Sequence, residues 1–167
     1  MAGVVLGAVE LSDAPWIFDA CQDPQIQRWT TVPRPYLIEH AESFCNGEGV
    51  TERIRWTIRD AAVNARGLGL ISVHAINDGV AEIGYWVAPW ARGEGVCTGA
   101  VAHVVDYLSD LEGASVVTAR VASTNIASQR VMIKSGFEAV GDTSELLPDG
   151  ELKVPGIVFR REIKRDN

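Results

Sequence analysis

The stretch Glu82-Ile83-Gly84-Tyr85-Trp86-Val87-Ala88-Pro89-Trp90-Ala91-Arg92-Gly93-Glu94-Gly95-Val96-Cys97 decides how the chain is read. A strand-like apolar run passes through a Gly-rich turn into a helical pattern carried by Ala100, Val101, Val104, Val105 and Leu108. Such a turn aims free backbone N–H groups and the positive end of a helix at one place, which suits a phosphate or pyrophosphate. Glycine at 93 and 95 lets the backbone approach that ligand, since a Cβ there would obstruct it. A P-loop is excluded, because no Gly-Lys-Ser/Thr follows. A dinucleotide-binding turn has pattern support in Gly93, Gly95 and Gly99. That fold, however, wants a mainly parallel sheet, and the next strand, Val116 to Val121, ends near Arg120 and Ser123 without an acidic residue for a ribose.

Upstream of this turn the pattern is antiparallel. Val4 to Leu11 reads as a short strand, and Ser12-Asp13 caps a helix through Trp16 and Phe18. Asp23-Pro24 starts a second short piece, and a helix over Leu37 to Cys45 stops at Asn46-Gly47. Ile54, Trp56 and Ile58 alternate with Arg53, Arg55, Thr57 and Arg59, the period of a half-buried strand. Gly67 to Ile76 and Val80 to Ala88 form a hairpin about Asn77-Asp78-Gly79. Downstream come a strand at Ser115 to Val121, a helix at Asn125 to Lys134, and strands over Phe137 to Leu147 and Val154 to Ile163 joined by Pro148-Asp149-Gly150. The sum is an α+β fold with a βαβ unit in its second half.

The 167 residues match one domain over 1–167, and 47% hydrophobic with 22% charged residues excludes a disordered chain. A net charge of -7 argues against nucleic acid and anionic membranes as partners. No apolar run reaches membrane length and the N-terminal stretch lacks a basic flank, so a cytoplasmic protein is expected. Cys21, Cys45 and Cys97 show no CxxC spacing, and His40, His74 and His103 lie far apart, so no metal site is expected.

Two segments carry a family resemblance. Arg92-x-x-Gly95-x-Cys97 resembles the R/Q-x-x-G-x-G/A pyrophosphate loop of the GCN5-related N-acetyltransferases, the GNAT superfamily. Asn125-Ile126-Ala127-Ser128-Gln129-Arg130-Val131-Met132-Ile133-Lys134-Ser135-Gly136-Phe137 looks like the N-x-x-S-x-x-V-x-x-K-x-G-F signature of its RimJ/RimL-like ribosomal-protein N-acetyltransferase branch. Secondary matches run from about residue 4 to 163. The chain departs from the pattern at Gly7-Ala8, where Leu-Arg is usual, and at Cys97, where Gly or Ala is usual.

The resemblance implies a mixed, mostly antiparallel sheet of about seven strands flanked by about four helices. It implies acetyl-CoA as cofactor, CoA as product, and direct transfer to an amine acceptor: a protein or peptide N-terminus, or a small molecule such as an antibiotic or polyamine. A non-catalytic acyl-CoA-binding module is the alternative, and a monomer or homodimer is expected. The cofactor is assigned to Val87, Arg92, Gly93, Glu94, Gly95, Val96, Cys97, Thr98, Asn125, Arg130 and Lys134. The Val87 N–H is expected free for the acyl carbonyl where Trp86 to Ala88 splay from the neighbouring strand, this strand being split by a bulge in the family. The resemblance makes Ser128 the donor to the leaving sulfur. Glu82 is a general base acting through water, or a structural carboxylate; its flanks, Ala81 and Ile83, suggest desolvation. Trp29, Trp56, Glu39 and Glu52 fall in segments assigned to the acceptor site.

Overall fold

The computed structural model describes residues 3–62 and 67–164. Both ends of the expected 1–167 unit lie outside these. In chain order the elements are β1 (Val4–Ala8), α1 (Ala14–Cys21), α2 (Pro24–Trp29), α3 (Ile38–Asn46), β2 (Ile54–Asp60), β3 (Gly69–Asn77), β4 (Val80–Val87), α4 (Val96–Asp110), β5 (Val116–Ala122), α5 (Ile126–Lys134), β6 (Glu138–Asp142), β7 (Leu147–Asp149), β8 (Leu152–Val154) and β9 (Gly156–Glu162). Asp23 caps α2 by accepting the Gln25 N–H at 3.2 Å, with Pro24 in the first turn. Asp78 and Gly79, at φ 49 and 81°, make the tight β3–β4 turn.

Seven strands form one sheet in the order β1-β2-β3-β4-β5-β9-β6, in which β4 and β5 pair in parallel and the other neighbours antiparallel. This is the mixed, mostly antiparallel sheet expected. The described residues hold five α-helices, in keeping with the about four expected, α2 being the short piece that Asp23-Pro24 starts. The single strand expected over Phe137 to Leu147 is two. Thr143 ends β6 by donating its hydroxyl to Glu145 O (2.6 Å) while accepting the Gly156 N–H (3.0 Å), and β7 and β8 leave the main sheet as a hairpin.

The two faces carry different helices. Ala81, Ile83, Tyr85 and Val87 of β4 pack with Val101, Val104 and Leu108 of α4 and Met132 of α5. The alternate residue Trp86 turns to the other face, where its ring lies 6.0 Å from that of Trp16 in the cluster formed by α1 and α3.

Asp13 anchors that second layer. Although only 2% exposed, it accepts the Trp16 indole N–H (2.8 Å), the Arg59 guanidinium (2.6 Å) and the Glu10 backbone N–H (2.9 Å), tying the start of α1 to β2. Asp13→Ala leaves the Arg59 guanidinium without its carboxylate, though still bonded to Thr57, and the Trp16 indole N–H without its acceptor, with an expected cost of about 3 kcal/mol in urea unfolding. A loss within about 0.5 kcal/mol, typical of surface changes, contradicts this role.

Candidate active site

The site grows from a divergence in the sheet. Parallel pairing of β4 with β5 runs from Val80↔Val116 to Ile83↔Ala119 and stops, while β4 stays on β3 as far as Val87 and β5 stays on β9 as far as Ala122. The Ala88 N–H donates to Leu68 O at 2.8 Å, which fixes the alternation: Gly84 and Trp86 direct their backbone groups at β3, and Tyr85 and Val87 direct theirs into the gap. The gap therefore begins at Gly84, earlier than the sequence suggests. The extra residue of the bulge lies in β3, at His74, rather than in β4. The His74 ring lies over Gly84, where a Cβ would run into its Nε2.

The loop after β4 ends at the same opening. Gly93 and Gly95 have φ of 80 and 72°, and a Cβ at Gly93 would meet nothing within 4 Å. Gly95 precedes α4 without a side-chain cap, and Gly99 N to Gly95 O (3.0 Å) is an early helical bond, so the N–H groups of Val96, Cys97 and Thr98 head a fifteen-residue helix without a capping oxygen. The arrangement fits a diphosphate at the loop and an extended amide-bearing chain along the free β4 edge. The Arg92 guanidinium is already engaged within the chain: it makes two hydrogen bonds to Asp23 (2.7 and 3.1 Å) and reaches Val87 O at 3.5 Å. Burial opposes ionisation of Asp23, but the hydrogen bonds and charge of Arg92, aided by the Gln25 N–H, hold its carboxyl below the usual value. Glu94 is exposed beside the loop.

Across the gap stands α5. Asn125 is its N-cap, its Oδ1 accepting the Ser128 N–H at 3.1 Å. Ser128 Oγ lies 2.7 Å from the hydroxyl of Tyr85. Tyr85 belongs to no motif of its own; the signal for it in the sequence is the period-two pattern, which places it on the face of Ala81 and Ile83, toward the helices. Arg130 and Lys134 are exposed further along α5, Lys134 about 13 Å from Asn125 at 1.5 Å per residue. Lys134 lines a separate groove with Ser135 and Arg161.

Glu82 is on the opposite face from Tyr85. Its side chain is 31% exposed and its Oε1 accepts from Arg120 Nε (3.1 Å) and a terminal nitrogen (2.7 Å), an ion pair in place of the expected desolvation. The acceptor residues are not gathered in one place. Trp29, under the Arg28 guanidinium at 4.4 Å, is joined to the β7–β8 hairpin through Arg28–Asp149 (2.5 Å). Trp56 packs edge-on against Tyr107 of α4, ring centroids 5.2 Å apart, on the face away from α1 to α3. Arg55 and Arg59 take the other face by bonding Phe44 O and Asp13, which turns Trp56 toward α4. Glu39 is exposed in the first turn of α3, and Glu52 accepts the Thr51 N–H at 3.2 Å ahead of β2, neither in a contact that joins it to the gap among the described residues.

Among the described residues no group of three His, Cys, Asp or Glu side chains could hold a metal, and no helix is long and apolar enough to cross a membrane.

Comparison with known proteins gives a consistent assignment. The family model described as an acetyltransferase (GNAT) domain matches residues 4–138. The uncharacterized N-acetyltransferase YoaA of Bacillus subtilis (strain 168) is 28% identical over 144 residues, 83% of this chain and 81% of that protein. The fold is similar to that of RimL, a ribosomal L7/L12 alpha-N-protein acetyltransferase in complex with coenzyme A (TM-score 0.83, 18% identity, 99% of this chain and 97% of that one). It is also similar to that of spermidine N-acetyltransferase from Vibrio cholerae in complex with CoA and spermine (TM-score 0.79, 21% identity, 96% of each chain).

Cys97, in the first turn of α4, is a buried thiol whose ionisation burial opposes strongly; burial likewise pushes Cys21 up to about 12 and Cys45 up to about 11. All three are expected to resist Ellman's reagent at pH 8 until urea is added. Stability should be unaffected by these thiols below pH 9.0 and fall above it, where they ionise in the unfolded chain but stay protonated when folded. Rapid labelling of the native protein contradicts the placement of Cys97.

Proposed function

Because the chain belongs to the acetyltransferase (GNAT) domain family, we propose that it carries an acetyl group from acetyl-CoA to a primary amine by direct transfer, as a RimJ/RimL-type N-acetyltransferase releasing CoA. The observation that carries this reading is the coincidence, at one opening in the sheet, of the uncapped glycine-flanked start of α4 and the Ser128 hydroxyl. The branch assignment rests on the Asn125 to Phe137 signature. Two acceptor classes fit: a peptide or protein N-terminus, which that signature favours, and a small polyamine-like cation, which the net charge of -7 favours.

When bound, acetyl-CoA supplies an activated thioester. The residues 92 to 98 hold its diphosphate through backbone N–H groups, and Asn125, with Oδ1 committed to the cap, offers its amide N–H groups to the pantetheine. Val87 offers the N–H facing the gap to the acyl carbonyl, fixed before substrate arrives, as electrostatic stabilisation requires. Ser128 donates to the departing sulfur. Glu82 receives the acceptor's proton through water, with Arg120 holding its carboxylate in place.

Release of CoA thiol, followed with a panel of peptides and amines, tests the proposal; tight CoA binding with no release from any amine favours a non-catalytic module. Gly95→Ala puts a side chain at φ 72° in the loop and is expected to weaken CoA binding about tenfold or more in calorimetry, with a small change in melting temperature. Unchanged affinity removes the diphosphate from this loop. Glu82→Gln should lower kcat/KM near neutral pH and recover in part at high pH, where solution supplies free amine. Superimposable pH–rate profiles make Glu82 structural.

A further inference from the structure

The 2.7 Å contact between Tyr85 and Ser128 joins β4 to α5 across the edge of the gap. Each hydroxyl has one proton to donate and can accept two. If Ser128 donated to Tyr85, the phenol proton would have to turn elsewhere, and Ser128 O, at 3.4 Å, is beyond the usual 2.5–3.0 Å range of O–H···O bonds. If Tyr85 donates, it makes one well-formed bond to Ser128 Oγ, and the serine proton is left for a third partner.

We propose that Tyr85 is a positioning residue that donates to Ser128 Oγ and so commits the single proton of Ser128 to the β4–β5 gap. The inference rests on the reading of Ser128 as the donor to the leaving sulfur. Ser128 is then held twice, its N–H by Asn125 Oδ1 at 3.1 Å and its Oγ by Tyr85. Without the second bond the hydroxyl proton rotates among its staggered positions and points at the gap only part of the time. Tyr85 is suited to this task because burial, with a smaller contribution from the neighbouring Cys97, raises its pKa above that of a free phenol. It therefore stays a neutral donor through the pH range in which an amine acetyltransferase works and gives up no proton in the reaction. Its ring packs against the α4 side of the sheet with Ile83 and Val87, so removal of the hydroxyl alone leaves the packing in place.

The experiment is a double-mutant cycle of Tyr85→Phe and Ser128→Ala, with kcat, both KM values and the melting temperature measured. Tyr85→Phe is expected to lower kcat roughly tenfold with both KM values within about twofold of the parent, and Ser128→Ala to lower it further. The double variant should be no slower than Ser128→Ala alone, since Tyr85 acts only through the serine. Two outcomes overturn the inference while leaving Ser128 in its role: full kcat in Tyr85→Phe beside an impaired Ser128→Ala, or a Tyr85→Phe loss that is as large in the Ser128→Ala background as in the parent. Normal kcat in Ser128→Ala overturns the role of Ser128 itself, and this inference with it. Because a packing defect lowers the melting temperature without sparing the Ser128→Ala background, the cycle separates positioning from structure.

Discussion

The whole arrangement depends on a pairing that β4 and β5 cannot complete. β5 is held by β9 over seven consecutive pairs, from Val116↔Glu162 to Ala122↔Gly156, and β4 is held by β3 out to Gly69↔Val87. Each strand follows its antiparallel partner, and the parallel ladder between them ends after Ile83↔Ala119. Backbone donors that elsewhere in a sheet are spent on a neighbour are left facing a gap at Tyr85 and Val87. Buried donors without a partner are costly, so such a gap persists where something else can satisfy them. The following chain adds to the same need: α4 begins after Gly95 with no side-chain cap for its first N–H groups.

Ion pairs frame this opening more than they stabilise the fold. Arg92–Asp23 ties the loop to the start of α2, Arg28–Asp149 ties the end of α2 to the β7–β8 hairpin, and Arg120–Glu82 spans β5 and β4. The three arginines are 38 to 45% exposed, the setting in which such pairs contribute little to stability. Their geometric effect is larger, since Thr124, next to the cap of α5, donates to the same Asp149 at 2.7 Å. The loop, α2, the hairpin and the start of α5 are thereby linked around one rim. Arg59–Asp13 differs, being buried and shared with an indole N–H and a backbone N–H.

Local chemistry made much of this readable in the sequence. Asp23-Pro24, Asn46-Gly47 and Asp78-Gly79 mark ends that the backbone confirms, with Gly47 at φ 81° and Gly79 at φ 81°. The left-handed glycines of the loop follow from the same logic. What escaped is long-range. Trp56 alternates correctly in β2, yet alternation does not say which face meets which helix. That choice is made by Asp13, forty-six residues from Arg59, and by the carbonyl of Phe44. The strand over Phe137 to Leu147 breaks because Thr143 finds Gly156, thirteen residues on. Tyr85 and Ser128 are forty-three residues apart, and neither residue alone announces the other.

The faces of the sheet also bear on how two substrates would meet. Glu82 and Ser128 lie on opposite faces, Glu82 beside Arg120 and Ser128 behind Tyr85. Across a continuous sheet a proton acceptor on one side and a proton donor on the other would be separated by a wall of hydrogen-bonded backbone. The divergence after Ile83↔Ala119 opens that wall next to both residues. In the proposed reaction the amine therefore enters from the side of α2 and the hairpin, the acyl donor lies on the side of α4 and α5, and bond formation is confined to the gap. The proposed direct transfer fits that confinement. A relay through a nucleophilic side chain would need a thiolate or an activated hydroxyl at the opening. Cys97, the thiol at the start of α4, is instead kept protonated by its burial, and the oxygen neighbouring Ser128 is a neutral phenol rather than a base.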